Sequence, residues 1–462
     1  MERSNKCSLN TFEQKTIKTF LLAHNTYTYI NQQIMPSPSL TTLIGDEIQG
    51  RDKWWDFVDG KDGFFYGIPS NARRVVKFNP ILDKSLTEIG PDLGDGACKW
   101  WCGVRAKNGK IYCTPLFSNH ILIIDTIQGT VETLDDIELP ETGDYLWASG
   151  ALAQDNHIYF MPYRAHRIMK LNTDNDSLSS VGGDLGYGGL KYRGTVVGND
   201  DCVYGMPYQA THIVKFDLHN PDTTSTVGEE AEEEFYCRNG VLSGDGHIYA
   251  ANGAGQVLKI DTRPTSTSNS YTWIGDQITE SNRGFEWGDP ILGVDKCVYW
   301  PPFNANRVLK FDPETQQFPS LVGDDLGRRR FKWQGGALAY DEAIYCIPAC
   351  SSTQILVIDP FKELAKTMQN NIIQYPKELG WLFAKKNDGG RKESIYGNAV
   401  RKFGIEKVFK FLFEECLPSD REWADTHSGN NLPLFMLAAS CESCTVSVIY
   451  HLLRRNVHDV ST

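Results

Sequence analysis

Seven short loops in this 462-residue chain close on a side chain that can donate hydrogen bonds: Arg74, His120, Arg167, His212, Gln256, Arg307 and Gln354. Most follow a proline and carry an alanine in a Pro-x-x-Ala phrase, as in Pro302-Phe-Asn-Ala305. Donors gathered round one opening suit an anionic or carbonyl ligand. The same side chains could instead pair with carboxylates of nearby Gly-Asp turns, and spacing does not choose between the two. The candidate ligand-binding residues on these loops are Asn71, Arg74, Phe117, His120, Arg164, Arg167, Gln209, His212, Asn304 and Arg307. A second set, Trp100, Trp147, Trp287 and Trp333, stands with Trp54 and Tyr192 at the head of an apolar run. Aromatic rings there either wedge between structural units or stack on a ligand.

Signs of catalysis are sparse. There is no Gly-rich phosphate loop, no HExxH and no nucleophile elbow. Asp46, Asp276, Asp324 and Asp325 lie in Gly-Asp phrases that serve either as turns or as a ring around a divalent cation. Cys441-Glu-Ser-Cys444 is a lone CxxC with no second pair at zinc-site spacing. No cofactor or metal is expected.

The elements that position these residues follow from an internal repeat. Tyr66, Tyr112, Tyr159, Tyr204, Tyr249, Tyr299 and Tyr345 are separated by 46, 47, 45, 45, 50 and 46 residues. Each unit holds short apolar runs, with an Asp-Gly-like turn between the first two and an Asp or Asn turn after the third. Seven such units predict a mainly β, seven-bladed propeller over residues 38–360, in which each sheet buries its faces against its neighbours. The seventh unit lacks a fourth strand, whereas Ser39 to Gly45 reads as an outer strand with no unit before it. The early strand is therefore expected to complete the last blade. Two charge runs, Glu229 to Glu234 and Arg328 to Arg330, fall in loops on the same predicted face and would make it bipolar.

Residues 1–37 form a leader without clear period. After Phe361 the apolar spacing becomes helical, predicting a small all-α module over 361–462 with a worn ankyrin-type helix pair near Leu434 and Tyr450. A net charge of -12 argues against a nucleic-acid partner. No apolar run is long enough to span a bilayer, and the twelve scattered cysteines suit a reducing, cytosolic setting.

The phrase Asp-Gly-x-Ile-Tyr-x-x-Pro followed by Val-Leu-Lys-Ile-Asp, together with the tail from Leu434 to Arg454, resembles seven-unit propeller proteins of diatoms and other protists. That resemblance implies no particular activity. More distantly the repeats are similar to those of streptogramin lyases and of NHL-type and gluconolactonase-like propellers. Those enzymes set a His, a Glu and a metal near the channel, and no residue here matches them one for one. The expectation is a non-catalytic recognition or scaffold protein binding a protein or small polar ligand on the Pro-x-x-Ala face. The alternative is a propeller enzyme of lyase or lactonase type with a divalent metal at the channel mouth.

Overall fold

The computed structural model describes residues 39–48, 53–82, 84–265, 269–278, 286–374, 382–383, 386–388 and 391–416. The expected leader, the ankyrin-type pair and Cys441 with Cys444 lie outside the described residues.

Seven four-stranded antiparallel sheets form a closed seven-bladed propeller. Six are built from consecutive strands. The seventh takes its outer strand, Thr41–Ile44, from the front of the chain, where Leu43 pairs with Leu356 and Ile44 with Ile355. The apolar cores lie between blades. Across the closing seam, Phe57 and Phe78 of the first blade pack with Tyr345 and Val357 of the last.

Each repeated tyrosine has a partner that explains its recurrence. The Tyr204 hydroxyl donates to Asp200 at 2.7 Å, and Lys215, opposite it in the ladder, reaches the same carboxylate at 2.7 Å. Tyr66, Tyr159, Tyr249, Tyr299 and Tyr345 use Asp62, Asp155, Asp245, Asp295 and Asp341 in the same way. In the second blade Asn108 replaces the aspartate, and Tyr112 instead donates to Asp176 of the third blade at 2.6 Å. Burial and the adjoining carboxylate hold these phenols protonated by pushing their pKa values up. The first turn of every unit has a residue at positive φ, from Gly63 at 87° to Glu342 at 68°, as the Asp-Gly pattern predicts.

A helix, α1 (Pro360–Gln374), follows the last strand, and α2 (Ile395–Phe403) and α3 (Ile405–Lys410) come later. The described tail includes a two-stranded hairpin, Lys386–Asp388 with Arg391–Glu393, inside the region expected to be all-α. The helices attach to the side of the disc away from the Pro-x-x-Ala loops. Lys402 binds Asp312 at 3.0 Å, Arg401 binds Glu314 at 2.8 Å and Lys407 binds Glu342 at 2.7 Å.

Candidate functional site

The innermost strands begin with the wedge aromatics, and just past that point the ladder is interrupted. The register shifts between Trp54 and Asp56, Trp100 and Gly103, Trp147 and Ser149, Tyr192 and Gly194, and Trp333 and Gly336. A bulge leaves one or two residues unpaired and re-aims their side chains. The residues so released include two tryptophans, Trp55 and Trp101, with Cys102, Arg193 and Gln334. The repeat keeps the bulge while its occupants differ from blade to blade.

Contacts that skip a blade show that these side chains cross the propeller axis. Arg193 of the fourth blade places its guanidinium carbon 4.7 Å from the ring of Trp101 in the second. Arg238 of the fifth donates to Gln334 Oε1 of the seventh. Trp55 of the first lies 6.0 Å from Phe303 of the sixth and stacks on Trp101 at 4.6 Å and 13°. Arg238 also sits over Phe303 at 3.8 Å, and Arg193 approaches Tyr208 at 5.4 Å.

Two carboxylates complete the shaft. Asp56 Oδ2 accepts from Gly103 N at 3.1 Å and Oδ1 from Phe57 N at 2.8 Å. Its pKa is nonetheless raised to about 6, chiefly by desolvation and further by the charge of Asp289. Asp289 is raised by the same burial and drawn back by Arg193 and Arg238. Both residues are partly buried, and Asp289 Oδ1 is fully enclosed. The Cys102 thiol, close by, is pushed up to about 12 by burial and by Asp56, which keeps it neutral. Small residues let the strands converge here: a Cβ on Gly288 would come within 2.2 Å of the Gln334 carbonyl oxygen. The arrangement offers cations on blades four and five, anions on blades one and six, and flat apolar rings between them. Among the described residues, no group of three or more His, Cys, Asp or Glu side chains is placed to hold a metal ion.

The chain shares its fold with streptogramin B lyase. That structure superposes with a TM-score of 0.56 at 13% identity, over 69% of this chain and 97% of the lyase. A catalytically inactive virginiamycin B lyase from Staphylococcus aureus, with quinupristin, gives 0.56 at 15%, over 69% and 98%. The extracellular domain of a proposed hybrid two-component system from B. thetaiotaomicron gives 0.51 at 10%, over 70% and 41%. Identities this low establish the fold alone. No family model and no curated protein matches the chain.

The residues expected from the loops surround this shaft without filling it. Arg74 and Arg167 donate to the carbonyls of Gly90 and Gly182, and Gln256 and Gln354 to those of Gly275 and Gly45. Each of these glycines has positive φ at the end of a fourth strand, which leaves its carbonyl to be capped from the side. The expected donor ring is thus largely spent on backbone carbonyls rather than on Gly-Asp carboxylates. His120 Nδ1 is 3.5 Å from Asp135, and His212 Nε2 is 2.7 Å from the Tyr192 hydroxyl.

Trp100, Trp147, Trp287 and Trp333, expected as candidates for ligand stacking, are enclosed between blades at 0–3% exposure. Their indole N–H groups donate to the carbonyls of His120, Arg167, Arg307 and Gln354. Such a ring is a wedge, and it is the residue after it that faces the axis. Asn71, Gln209 and Asn304 accept from the backbone N–H groups of Cys98, Leu190 and Phe331, tying the loops to the lip of the shaft. Phe117 packs edge-on to Tyr145 at 4.3 Å, with Arg164 on the same ring at 5.1 Å. Cys98, Tyr145 and Phe331, at equivalent lip positions, hold φ of 51°, 59° and 57°, a conformation that non-glycine residues keep only where surroundings enforce it.

Lysines stand between the wedge and two of these positions, Cys98 and Phe331, whereas Leu146 follows Tyr145. Lys99 Nζ bonds the carbonyls of Ala72, Gly94 and Gly96, and Lys332 bonds those of Ala305, Gly327 and Arg329. Lys191 makes the same cage with Ala165, Gly186 and Gly188, and burial lowers its pKa to about 8. The alanine of the Pro-x-x-Ala phrase is therefore a carbonyl ligand to the next blade's ammonium. The Glu229 to Glu234 run is mostly exposed, Arg328 to Arg330 wholly so, and both lie on this face.

Proposed function

We propose that this chain is a cytosolic recognition propeller that takes a small polar ligand at the axial shaft on the Pro-x-x-Ala face. The observation that carries the reading is the cross-axis assembly of Trp55, Trp101, Phe303, Arg193 and Arg238 beside Asp56 and Asp289. Desolvated charges of both signs are costly to bury without partners, and a fold gains nothing in stability from keeping them at its axis. A binding site does gain, because such groups lose little further solvation when a ligand arrives. Phe117 and Arg164 at the lip extend the surface that a ligand meets first. The wedge tryptophans and capping arginines support the site from behind.

A lyase-type reading draws on Asp56, whose pKa of about 6 suits proton transfer near neutral pH, beside Asp289, which burial also raises. Native mass spectrometry of the full chain after exposure to a polar metabolite extract tests the binding reading. The wild type should retain a small molecule that a Trp101→Leu, Arg193→Gln double variant loses. Retention of nothing, or equal retention by both proteins, would refute it.

A further inference from the structure

We infer that Ile81, Leu82 and Ile127, on the side of the disc away from the axial site, form a docking strip for the chain's own C-terminal segment, residues 417–462. The strip is defined by one position that recurs in every blade, two residues past the Asp or Asn that closes the third strand. Its occupants are Ile81, Ile127, Asp174, His219, Arg263, Glu314 and Phe361. Their placement is the same, because in each the backbone N–H donates to the side-chain oxygen of that Asp or Asn at 2.9–3.1 Å.

Blades three to six carry a polar side chain there, whereas blades seven, one and two carry an apolar one. In blade seven the attached helices account for it: Phe361, in α1, is 7% exposed and meets Phe403 and Phe411 edge-on at 5.2 and 5.4 Å. In blade six, Glu314 meets the same tail through Arg401. In blades one and two the position is uncovered, with Ile81 47% exposed, Ile127 72% and Leu82, beside Ile81, 83%. A single exposed apolar side chain needs no explanation. These three occupy turns whose counterparts in blades three to five present exposed Asp, His and Arg, which marks their face as one that is covered.

Continuity with the attached helices says by what. The Tyr345 hydroxyl of blade seven lies 2.7 Å from Asp341 and 3.2 Å from the carbonyl of Pro80, next to Ile81. Glu342, in the same blade-seven turn as Asp341, holds Lys407 of α3 at 2.7 Å. The described tail then ends at Cys416, so the strip begins in the sector where the attached helices stop. The chain continues through 417–462, where Leu432, Phe435, Met436 and Ala439 keep the spacing of one helical face, and the same spacing returns from Val446 to Leu453. Apolar faces of this kind are buried against another surface.

The experiment is photocrosslinking of the purified full chain, with a benzophenone side chain in place of Leu82, of Ile127 or, as control, of Asp174, followed by peptide mass spectrometry. Probes at 82 and 127 should give monomeric products joined to peptides from 417–462, and the probe at 174 should not. Links to a second copy, links only to other parts of the chain, no links at all, or equal yield from position 174 would each overturn the assignment. Trypsin gives an independent reading, since Arg421, Arg454 and Arg455 lie in the segment. Leu82→Asp combined with Ile127→Asp should speed cleavage at these sites about tenfold, because cleavage tracks the fraction of released segment. Leu82→Met, which keeps an apolar side chain, should be cut as slowly as the wild type. Equal cleavage of the wild type and the aspartate variant would also refute docking. If the aspartate variant loses cooperative unfolding, the crosslinks at 82 and 127 decide.

Discussion

The guanidinium of Arg193 lies across the propeller axis over the indole of Trp101, with carbon to ring centre at 4.7 Å. The two belong to blades that are not neighbours, so their contact depends on closure of the whole ring. A desolvated cation–π pair contributes about 2 kcal/mol. A double-mutant cycle with Trp101→Leu and Arg193→Met, read by urea unfolding, should give a coupling of about 1–2 kcal/mol. Additive effects of the two changes would mean that the side chains do not meet.

Ring closure itself depends on the first strand. Leu40 is buried in the seam between the last two blades, while Leu43, paired to Leu356, is 42% exposed. Leu40→Ala should cost about 2–4 kcal/mol and Leu43→Ala within about 0.5 kcal/mol. A chain without residues 1–46 should aggregate or unfold without cooperativity, and a synthetic peptide covering 38–46 should restore a sharp transition. A truncated chain that melts like the full one would refute this closure.

The Asp–Tyr device predicts an effect that exposure alone hides. Asp200→Ala orphans the Tyr204 hydroxyl, and Asp176→Ala orphans that of Tyr112 in a different blade. Leaving a buried hydroxyl unmatched costs about 1–3 kcal/mol. Both variants should lose stability by that amount in denaturant titrations. A neutral Asp176→Ala would show that Asn108 alone satisfies Tyr112, which it approaches at 3.0 Å.

Asp56 gives stability a pH dependence of defined sign. Its folded pKa, about 6, exceeds the ordinary value of 3.8, so the folded state holds the proton more tightly over that window. Ionisation of Asp56 therefore costs stability above pH 6, and the cost fades as pH falls towards 4. The size of the shift corresponds to roughly 2–3 kcal/mol. The stability of Asp56→Asn relative to wild type should rise by about that amount between pH 4 and pH 7, from urea midpoints at each pH. A difference independent of pH would mean that Asp56 is well solvated.

What the sequence disclosed was whatever the blades have in common. The tyrosines, the turn after the first run and the missing outer strand could all be aligned, because each meets the same physical need in every unit. The donor ring at Arg74, Arg167 and Gln256 could be found for the same reason, but its purpose could not. The spacing did not say that a glycine carbonyl at positive φ would stand within reach. The axial charges were hidden by the opposite property. Asp56, Cys102, Ser149, Gly194, Asn239, Asp289 and Gly335 share a position, but only two of the seven carry a carboxylate, so alignment averages the charge away. A usable signal existed in Arg193 and Arg238: a charge directly after a buried wedge, at a position where the blades on either side of the pair carry Ala148 and Gly288, is hard to explain by packing. Which partner it meets across the axis follows only from the closed ring.

The strand from Thr41 to Ile44 leaves the ribosome before any blade exists, yet its hydrogen-bonding partner, Ile355–Ile358, is made last. At about 5–20 residues per second, roughly a quarter of a minute to a minute separates the two during synthesis. Throughout that interval the nascent wheel has a gap, and an extended apolar segment waits beside it. Chaperone engagement of that segment, or exchange of it between two chains on one polysome, would decide the yield of finished protein more than the strength of any single blade.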